Sequence, residues 1–549
     1  MPADRDHGEP AGWPPLRELL VTGAAFGLLT ILATWPQARH LATHTGTHYD
    51  ALFSVWRMAW VAHQLPADPL HLFDANIFYP ELNTLAYSDA VLLPALIGAP
   101  LIWMGVPPLA TYNVLILLSF VAAGLGMYVL VRELTGSRAS AFAAGVIFAF
   151  QPYRFAHFSH LELVWTCWIP LTLWSLHRVF RDPTWTNGFL LGLFASAQVL
   201  TSIYYGVFLA TALLVVGPPL LVVMRGRHRW RLWMPFLGMV LPLILLVIPY
   251  AQPYRHSAAA LGERDAVDVA RWSPTIWNYL EPQDGHWLYP RLGNIDVFEG
   301  VLLPGAVVVA LAAIGVWRGW RREPVTVAAY AVLLLVAFDL SLGSNGLSFG
   351  VVREIAWPYR GLRVPARMFV VVSAALSVLA GFALARLGTA RWRRLIPAAA
   401  ALLAFVEAAS IPIPLNAAPL KPINTLDFLA SRPPGPVAHW PLPNAANIGI
   451  TWDPKYMYFS MYHWRPLLNG YSGYHPDSYL QFLRRTAAFP DPGAVAAMQR
   501  AGVRYLVVHS TPDGQAYIRA MDALRLNDAV AYQFSEHTID EDVALFVLK

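Results

Sequence analysis

Three groups of residues carry reactive side chains in a chain that is otherwise mostly apolar. Asp50 lies in THTGTHYDALFSVWRMAW, shortly after the first long apolar segment. A carboxylate in that place can take a proton from a hydroxyl as a general base; the plain alternative is a solvated loop residue. The second group is QPYRFAHFSHLELVW, which holds Arg154, His157, His160 and Glu162. His157 and His160 are spaced i, i+3 and can share a helix face, whereas Glu162 falls off that face in a regular helix. This is not the i, i+4 spacing of helical zinc proteases. A carboxylate that helps hold a divalent ion or orients a phosphate is a better reading than zinc; the plain alternative is a polar helix end at the interface. The third group is WPYRGLRVPARMF, with Arg360, Arg363 and Arg367. Guanidinium forks match phosphate oxygens. The competing partners are acidic residues such as Glu354 and ordinary phospholipid head groups.

Other polar positions are less specific. Asp68, Asp74, Glu81 and Asp89 share the first loop with Tyr49, Trp56, Trp60, Phe78, Tyr79 and Tyr87. They read as a solvated loop with an interfacial aromatic belt. The segment 251–299 is long enough to fold over a site, and Tyr254, Arg255, His256, Trp277, Tyr279 and Glu281 are its polar and aromatic candidates. Thr201, Ser202, Tyr204 and Tyr205 read as a structural turn. No P-loop, Gly-rich dinucleotide turn, GxSxG or CxxC occurs in a meaningful context. The one cysteine, Cys167, excludes an internal disulfide and a cysteine-based metal site.

The elements that position these groups are membrane helices. The 549 residues are 56% hydrophobic and 13% charged, with mean hydropathy +0.44. A soluble chain carries about 25% charged residues. About 11 spans are expected, at 16–35, 109–131, 139–151, 163–179, 187–202, 204–223, 233–250, 300–317, 324–341, 365–386 and 395–411. The first reads as an uncleaved helix rather than a signal peptide. Arginines then fix orientation: Arg132 and Arg138; Arg178 and Arg181; Arg225, Arg227, Arg229 and Arg231; Arg318, Arg321 and Arg322; Arg391, Arg393 and Arg394. All fall on one side, the cytoplasm by the positive-inside rule, if 91–104 does not cross. That run is short, holds two prolines and suits an interfacial helix. The N-terminus is then cytoplasmic, and the loops 36–108, 152–162, 251–299 and 343–364 lie outside. The net charge of +5 is topology and gives no case for nucleic acid.

After Ile411 the text changes. PIPLNAAPLKP, across 412–422, reads as a proline-rich linker. From 423 to 549 strands (GPVAHWPLP, VRYLVVHS, DVALFVLK) alternate with helices (DSYLQFLRRTAAF, GAVAAMQRAG), the pattern of a small extracytoplasmic α/β domain. Trp452, Tyr456, Trp464, Tyr471 and Tyr474 concentrate aromatic side chains in this region.

This plan resembles the GT-C superfamily of membrane glycosyltransferases. The resemblance rests on the acidic residue early in a long first loop, the proline-containing LLPALIGAPLIWMGV, the helix running into VRELTGSRASA, and the second acidic position in HFSHLE. EGVLLPG, RVPARMFVVVSAALSVLAGFALARL, HWPLP, HWRPLLNGYSGYHP and AGVRYLVVHS are more closely similar to the YfhO-like bacterial branch. The resemblance implies a polytopic α-helical GT-C-like fold over 1–411 in a bacterial inner membrane. It implies sugar transfer from a polyprenyl-phosphate donor to an extracytoplasmic glycan, lipid or protein acceptor. Asp50 would then be the base and Glu162 the second acidic position. Arg363, Arg367, His157 and His160 would serve the donor phosphate, with Mg2+ or Mn2+ held partly by Glu162. The paired carboxylates of some branches are missing here. A lipid or polysaccharide flippase and a non-catalytic envelope assembly protein are the competing functions. Transporters keep charges in mid-membrane and show internal repeats; here Asp339 and Glu407 lie near helix ends and no repeat is visible.

Overall fold

The computed structural model describes residues 13–224, 230–291, 299–387, 392, 394–445, 452–510 and 514–549. Arg225, Arg227, Arg229, Arg391 and Arg393 of the charge count lie outside the described residues. The chain divides into two compact units, one of 1–40, 114–250 and 263–413, the other of 41–113, 251–262 and 414–549.

Every expected span contains a helix. They are Leu16–Ala33, Pro108–Thr135, Arg138–Ala149, Trp168–Arg181, Trp185–Thr201, Ile203–Val223, Trp233–Pro242, Ala306–Gly319, Pro324–Ser341, Phe369–Leu384 and Leu395–Ala408. Among the described residues, six stretches are long and apolar enough to cross a membrane: Leu16–Ala33, Pro108–Thr135, Ile203–Val223, Trp230–Ala259, Pro324–Ser341 and Pro365–Leu384. The chain is a membrane protein. In the first unit, Phe369–Leu384 is buried along its whole length. Ala306–Gly319 lies so close to it that a Cβ on Gly315 would fall 1.9 Å from the Leu379 carbonyl oxygen, so only glycine fits there.

The charges of this unit gather at helix ends. Arg132 and Arg138 both reach Glu18, at 3.0 and 2.6 Å, and Arg178 and Arg181 both reach Glu133. The arginine-marked turns after Thr135 and Arg181 are thus tied down by carboxylates from neighbouring helices. Glu407 and Asp339 are also structural. The Glu407 carboxylate accepts the Ala306 and Val307 N–H groups at 2.6 and 3.0 Å, capping the helix Ala306–Gly319. Asp339 accepts the Leu347 and Ser348 N–H groups at 2.6 and 2.9 Å.

The second unit joins the first loop to the C-terminal module. The stretch expected as polar loop contains a helix, Asp50–Ala67, with Ala51 and the run Phe53–Ala62 buried. Leu92–Trp103 is a helix of 12 residues, short of the ~20 that a crossing needs. Strands are β1 His44–Gly46, β2 Leu415–Ala417, β3 Val437–Trp440, β4 Tyr505–His509, β5 Val530–His537 and β6 Asp542–Leu548. The main sheet has the order β3-β4-β6-β5, with β3 and β4 parallel and the other pairs antiparallel. With Asp477–Arg485 and Pro492–Arg500 as helices, the module is α/β as its alternating pattern predicts. The segment read as a linker is not free: β2 pairs antiparallel with β1, because its unpaired backbone groups meet those of the first loop.

Asn76 locks loop and module together. Its Nδ2 donates to Ser460 Oγ at 3.2 Å and to the Arg465 carbonyl at 2.9 Å, and its Oδ1 accepts from Trp56 Nε1 at 3.2 Å. The backbone continues the seam, with Leu467 N–H donating to Asn76 O at 2.7 Å and Tyr79 N–H to Leu467 O at 2.9 Å. Asn76→Leu strands several buried partners and is expected to cost about 1–3 kcal/mol. Thermal unfolding of the purified protein measures this as a lowered midpoint; an unchanged midpoint removes Asn76 from this role.

Candidate functional site

In the second unit, Asp50 is the first residue of the Asp50–Ala67 helix, where the helix dipole favours a negative charge. Its side chain is 16% exposed, and Oδ2 lies 3.3 Å from His48 Nδ1. The same Nδ1 faces the Asp50 backbone N–H at 3.2 Å. A ring nitrogen that accepts this N–H bears no proton for the carboxylate, so the two contacts are alternatives set by the His48 tautomer. The other loop carboxylates have structural partners. Asp68 meets His71 at 2.7 Å, Asp74 accepts the Asn83 N–H at 2.8 Å and Glu81 accepts from Ser478 at 2.6 Å.

The first unit holds the arginine and histidine group. Pro152–Ala156 is a short helix opened by proline, and a turn then carries His157 to His160 into the helix Leu161–Val164. His157, His160 and Glu162 are all buried. The carboxylate that joins the two imidazoles is Glu299. Donor atoms of His157, His160 and Glu299 lie within 4.8 Å of one another, and His157 Nε2 is 3.8 Å from Glu299 Oε2. Glu162 sits within the four-residue helix and is not part of this triad.

Arg367 binds Glu299 as a fork, Nε to Oε2 at 2.7 Å and Nη2 to Oε1 at 2.5 Å. Its guanidinium also lies 4.9 Å from the Tyr204 ring centre. Burial pushes the Glu299 carboxyl up, but the charge and hydrogen bonds of Arg367, joined by His157 and His160, outweigh it and hold the carboxyl well below the usual range. Glu299 has φ 60°, the left-handed region that costs a residue with a Cβ strain. The strained backbone aims a carboxylate at Arg367.

Arg363 differs. Its guanidinium lies 4.7 Å from the Trp272 ring centre, and its backbone N–H donates to Tyr204 Oη at 2.8 Å. No carboxylate lies within ion-pair distance of it among the described residues. Arg360 meets Glu263 at 3.5 Å and the Glu354 carbonyl rather than its carboxylate, at 2.9 Å. Of the arginines expected to meet phosphate, Arg367 already has its anion and Arg363 keeps a charge to offer. Arg154 is fully buried, with Nη1 on Thr166 Oγ1 at 2.5 Å and the guanidinium 4.5 Å from the Phe120 ring centre; burial pushes it down to about 10.

Sequence reasoning missed Glu299 and Tyr204. Glu299 stood in the text only as part of EGVLLPG; its strained φ and its arginine partner 68 residues away leave no periodic signal. Tyr204 read as turn structure, although its hydroxyl and ring hold the backbone of Arg363 and the charge of Arg367. In the 251–299 segment, Tyr254 accepts the Ala90 N–H at 2.8 Å, Tyr279 meets Ser341 at 2.7 Å and Glu281 pairs with Arg291 at 2.7 Å, all structural ties.

The triad suits Mg2+ or Mn2+ poorly. These hard ions favour oxygen donors, and Mg2+ keeps several waters. Here two of three donors are imidazoles, and both Glu299 oxygens already accept from Arg367.

No protein-family model matches the chain, and no curated protein is significantly similar in sequence. Solved structures share its fold. The arabinofuranosyltransferase AftD from Mycobacteria superposes with TM-score 0.62 at 16% identity, over 98% of this chain and 42% of that one. This chain therefore spans less than half of AftD's length. The archaeal oligosaccharyltransferase AglB from Archaeoglobus fulgidus, solved with an inhibitory peptide and a dolichol-phosphate, gives TM-score 0.52 at 13% identity, over 96% of this chain and 74% of that one. The fold is GT-C-like, a helical membrane body with a small C-terminal α/β region.

Removing Glu299 tests the ion pair. Glu299→Gln leaves the Arg367 charge buried and unmatched, at an expected cost of about 3–5 kcal/mol, and Arg367→Met added to it restores much of the loss. Because the Glu299 carboxyl is depressed, its contribution is complete above about pH 4.3, the unfolded value, and fades as pH falls below it. Thermal unfolding of wild type and both variants across pH measures this; a Glu299→Gln protein as stable as wild type overturns it.

Proposed function

We propose that this chain is a membrane glycosyltransferase that moves a sugar from a polyprenyl-phosphate donor to an acceptor on the extracytoplasmic face of a bacterial inner membrane. The observation that carries the reading is Arg363, a guanidinium with no carboxylate in ion-pair range among the described residues, beside the ordered Arg367–Glu299–histidine group. A transferred sugar leaves behind an anionic lipid phosphate, and a cation not committed to a protein anion is what that leaving group needs. The fold supports the reading only as analogy, since one fold hosts many reactions. The narrower likeness to the YfhO-like branch rests on sequence text alone.

The proposed roles follow from the chemistry. The acceptor hydroxyl attacks the anomeric carbon while Asp50 takes its proton, because an alcohol is too weak an acid to ionise beforehand. The bond from that carbon to the phosphate oxygen breaks, and its electron pair leaves with the phosphate. Arg363 stabilises the growing charge through hydrogen bonds that strengthen as the bond breaks. Arg367 is proposed as a positioning residue: with Glu299 it fixes Tyr204, whose hydroxyl accepts the Arg363 N–H. His157 and His160 are proposed to orient the phosphate. No step is assigned to a metal, given the donor set. The transporter reading loses its best residues, because Glu407 and Asp339 are spent on backbone N–H groups.

Asp50→Asn is expected to lower transfer by about 100-fold or more. Arg363→Ala should lower it strongly as well, and Arg363→Lys should fall between, keeping charge but losing the fork. The measurement is incorporation of labelled sugar from polyprenyl-phosphate donors in membranes holding equal amounts of each protein. Undiminished incorporation by Asp50→Asn removes Asp50 as the base.

A further inference from the structure

The C-terminal module contains a relay of buried polar groups that sugar transfer does not use. Lys455 Nζ lies 2.7 Å from Glu541 Oε1, and His509 Nδ1 lies 3.2 Å from the same oxygen. His509 Nε2 faces His439 Nδ1 at 2.8 Å. His509 and Lys455 both face the same carboxylate oxygen, and the two imidazoles share one hydrogen bond whose direction depends on their tautomers. Both rings stack on Tyr456, with centroids 4.8 and 4.7 Å from it. Such a network is costly to bury and holds its members in fixed orientations.

The relay forms one wall of a cavity of about 200 Å3. That is room for several waters, and so for one sugar ring. Trp452, Tyr456, Lys455, Ser510, Asp540 and Glu541 are among its lining residues. Trp452 is 37% exposed, an aromatic face at the rim. Lys455 is answered by Glu541, and Asp540 adds a further carboxylate, so the lining offers no net positive charge to an anion. What it offers is donors and acceptors side by side against aromatic surface. A neutral polyol fits this: each hydroxyl both donates and accepts, and the C–H face of a pyranose packs on a ring.

We propose that this cavity binds a neutral sugar residue of a glycan, with Trp452 as the stacking platform and Asp540, Glu541 and Ser510 as hydroxyl partners. Binding stands without the transferase reading; only naming the glycan as the acceptor rests on that reading. Lys455 and the two histidines act as positioning residues. Lys455 and His509 flank the Glu541 carboxylate and His439 fixes the His509 ring, so that the carboxylate is placed toward the ligand.

The test uses the full chain in nanodiscs. Methyl glycosides of glucose, galactose, mannose, rhamnose and N-acetylglucosamine, and short oligomers of each, are titrated by calorimetry and saturation-transfer NMR. At least one is expected to bind saturably. Trp452→Ala should weaken it tenfold or more with an unchanged unfolding midpoint, and Trp452→Phe should recover most of it. Overturning results are no saturable binding by any neutral glycoside, binding that Trp452→Ala leaves intact, or displacement of the bound glycoside by spermidine or inorganic phosphate. No sugar donor is present, so failure here leaves the Asp50 and Arg363 transfer assays standing, and their failure leaves this binding standing.

Discussion

A charge at the end of a membrane helix is poorly hydrated, and removing one partner of a buried pair leaves the other at a cost of several kcal/mol. The first unit meets that constraint by crossing helices. Glu18 is answered by Arg132 and Arg138, Glu133 by Arg178 and Arg181, and Glu299 by Arg367. Glu407 is answered by the free N–H groups of another helix. Each tie joins segments distant in sequence, so the ion pairs set which helix ends meet while apolar packing fills the space between. Glycine at 315 permits one such approach, and the fully buried helix Phe369–Leu384 receives it.

The same constraint sorts committed from uncommitted charge. Arg360, Arg363 and Arg367 look equivalent in the text, three arginines in a short turn. Their surroundings separate them. Arg367 is held by a strained Glu299, Arg360 by Glu263 and backbone oxygen, and Arg363 by an aromatic ring that leaves its charge unneutralised. Cation–π contact orients a guanidinium without cancelling it. Asp339 and Glu407 sort the other way: acidic residues in an apolar chain, fully occupied as caps.

Legibility followed the range of the physical signal. The helical spans were readable because hydrophobic length is local, and the α/β module because alternation is local. His157 and His160 were readable as a pair because they stand three positions apart, although a turn between two short helices, not one helix face, brings them together. Glu299 was not, since a left-handed residue that meets its arginine across 68 positions leaves no pattern. Nor was the helix Asp50–Ala67, whose Arg57, His63 and Gln64 make its text resemble a loop. Those polar groups are accommodated within the fold: Arg57 donates to the Asp89 carbonyl and to Ser54, and its guanidinium lies 4.2 Å from the Phe53 ring centre.

The union of the first loop with the C-terminal module follows from backbone accounting. A loop of irregular chain must satisfy its N–H and C=O groups, and water does so only at the surface. Residues 76–79 pair instead with 467–469, and β1 pairs with β2. The segment after Ile411 therefore serves as an edge strand, its prolines placed outside the three paired residues Leu415–Ala417. Proline richness signals that a chain cannot form a central strand; it does not signal freedom. Asp50 begins a helix whose buried face packs within this same unit, so the C-terminal module is part of the frame that holds the Asp50 backbone in place. Loss of the linker and module together removes the partners of β1 and Asn76, which makes them a structural requirement for the Asp50 region whatever ligand the module's own cavity takes.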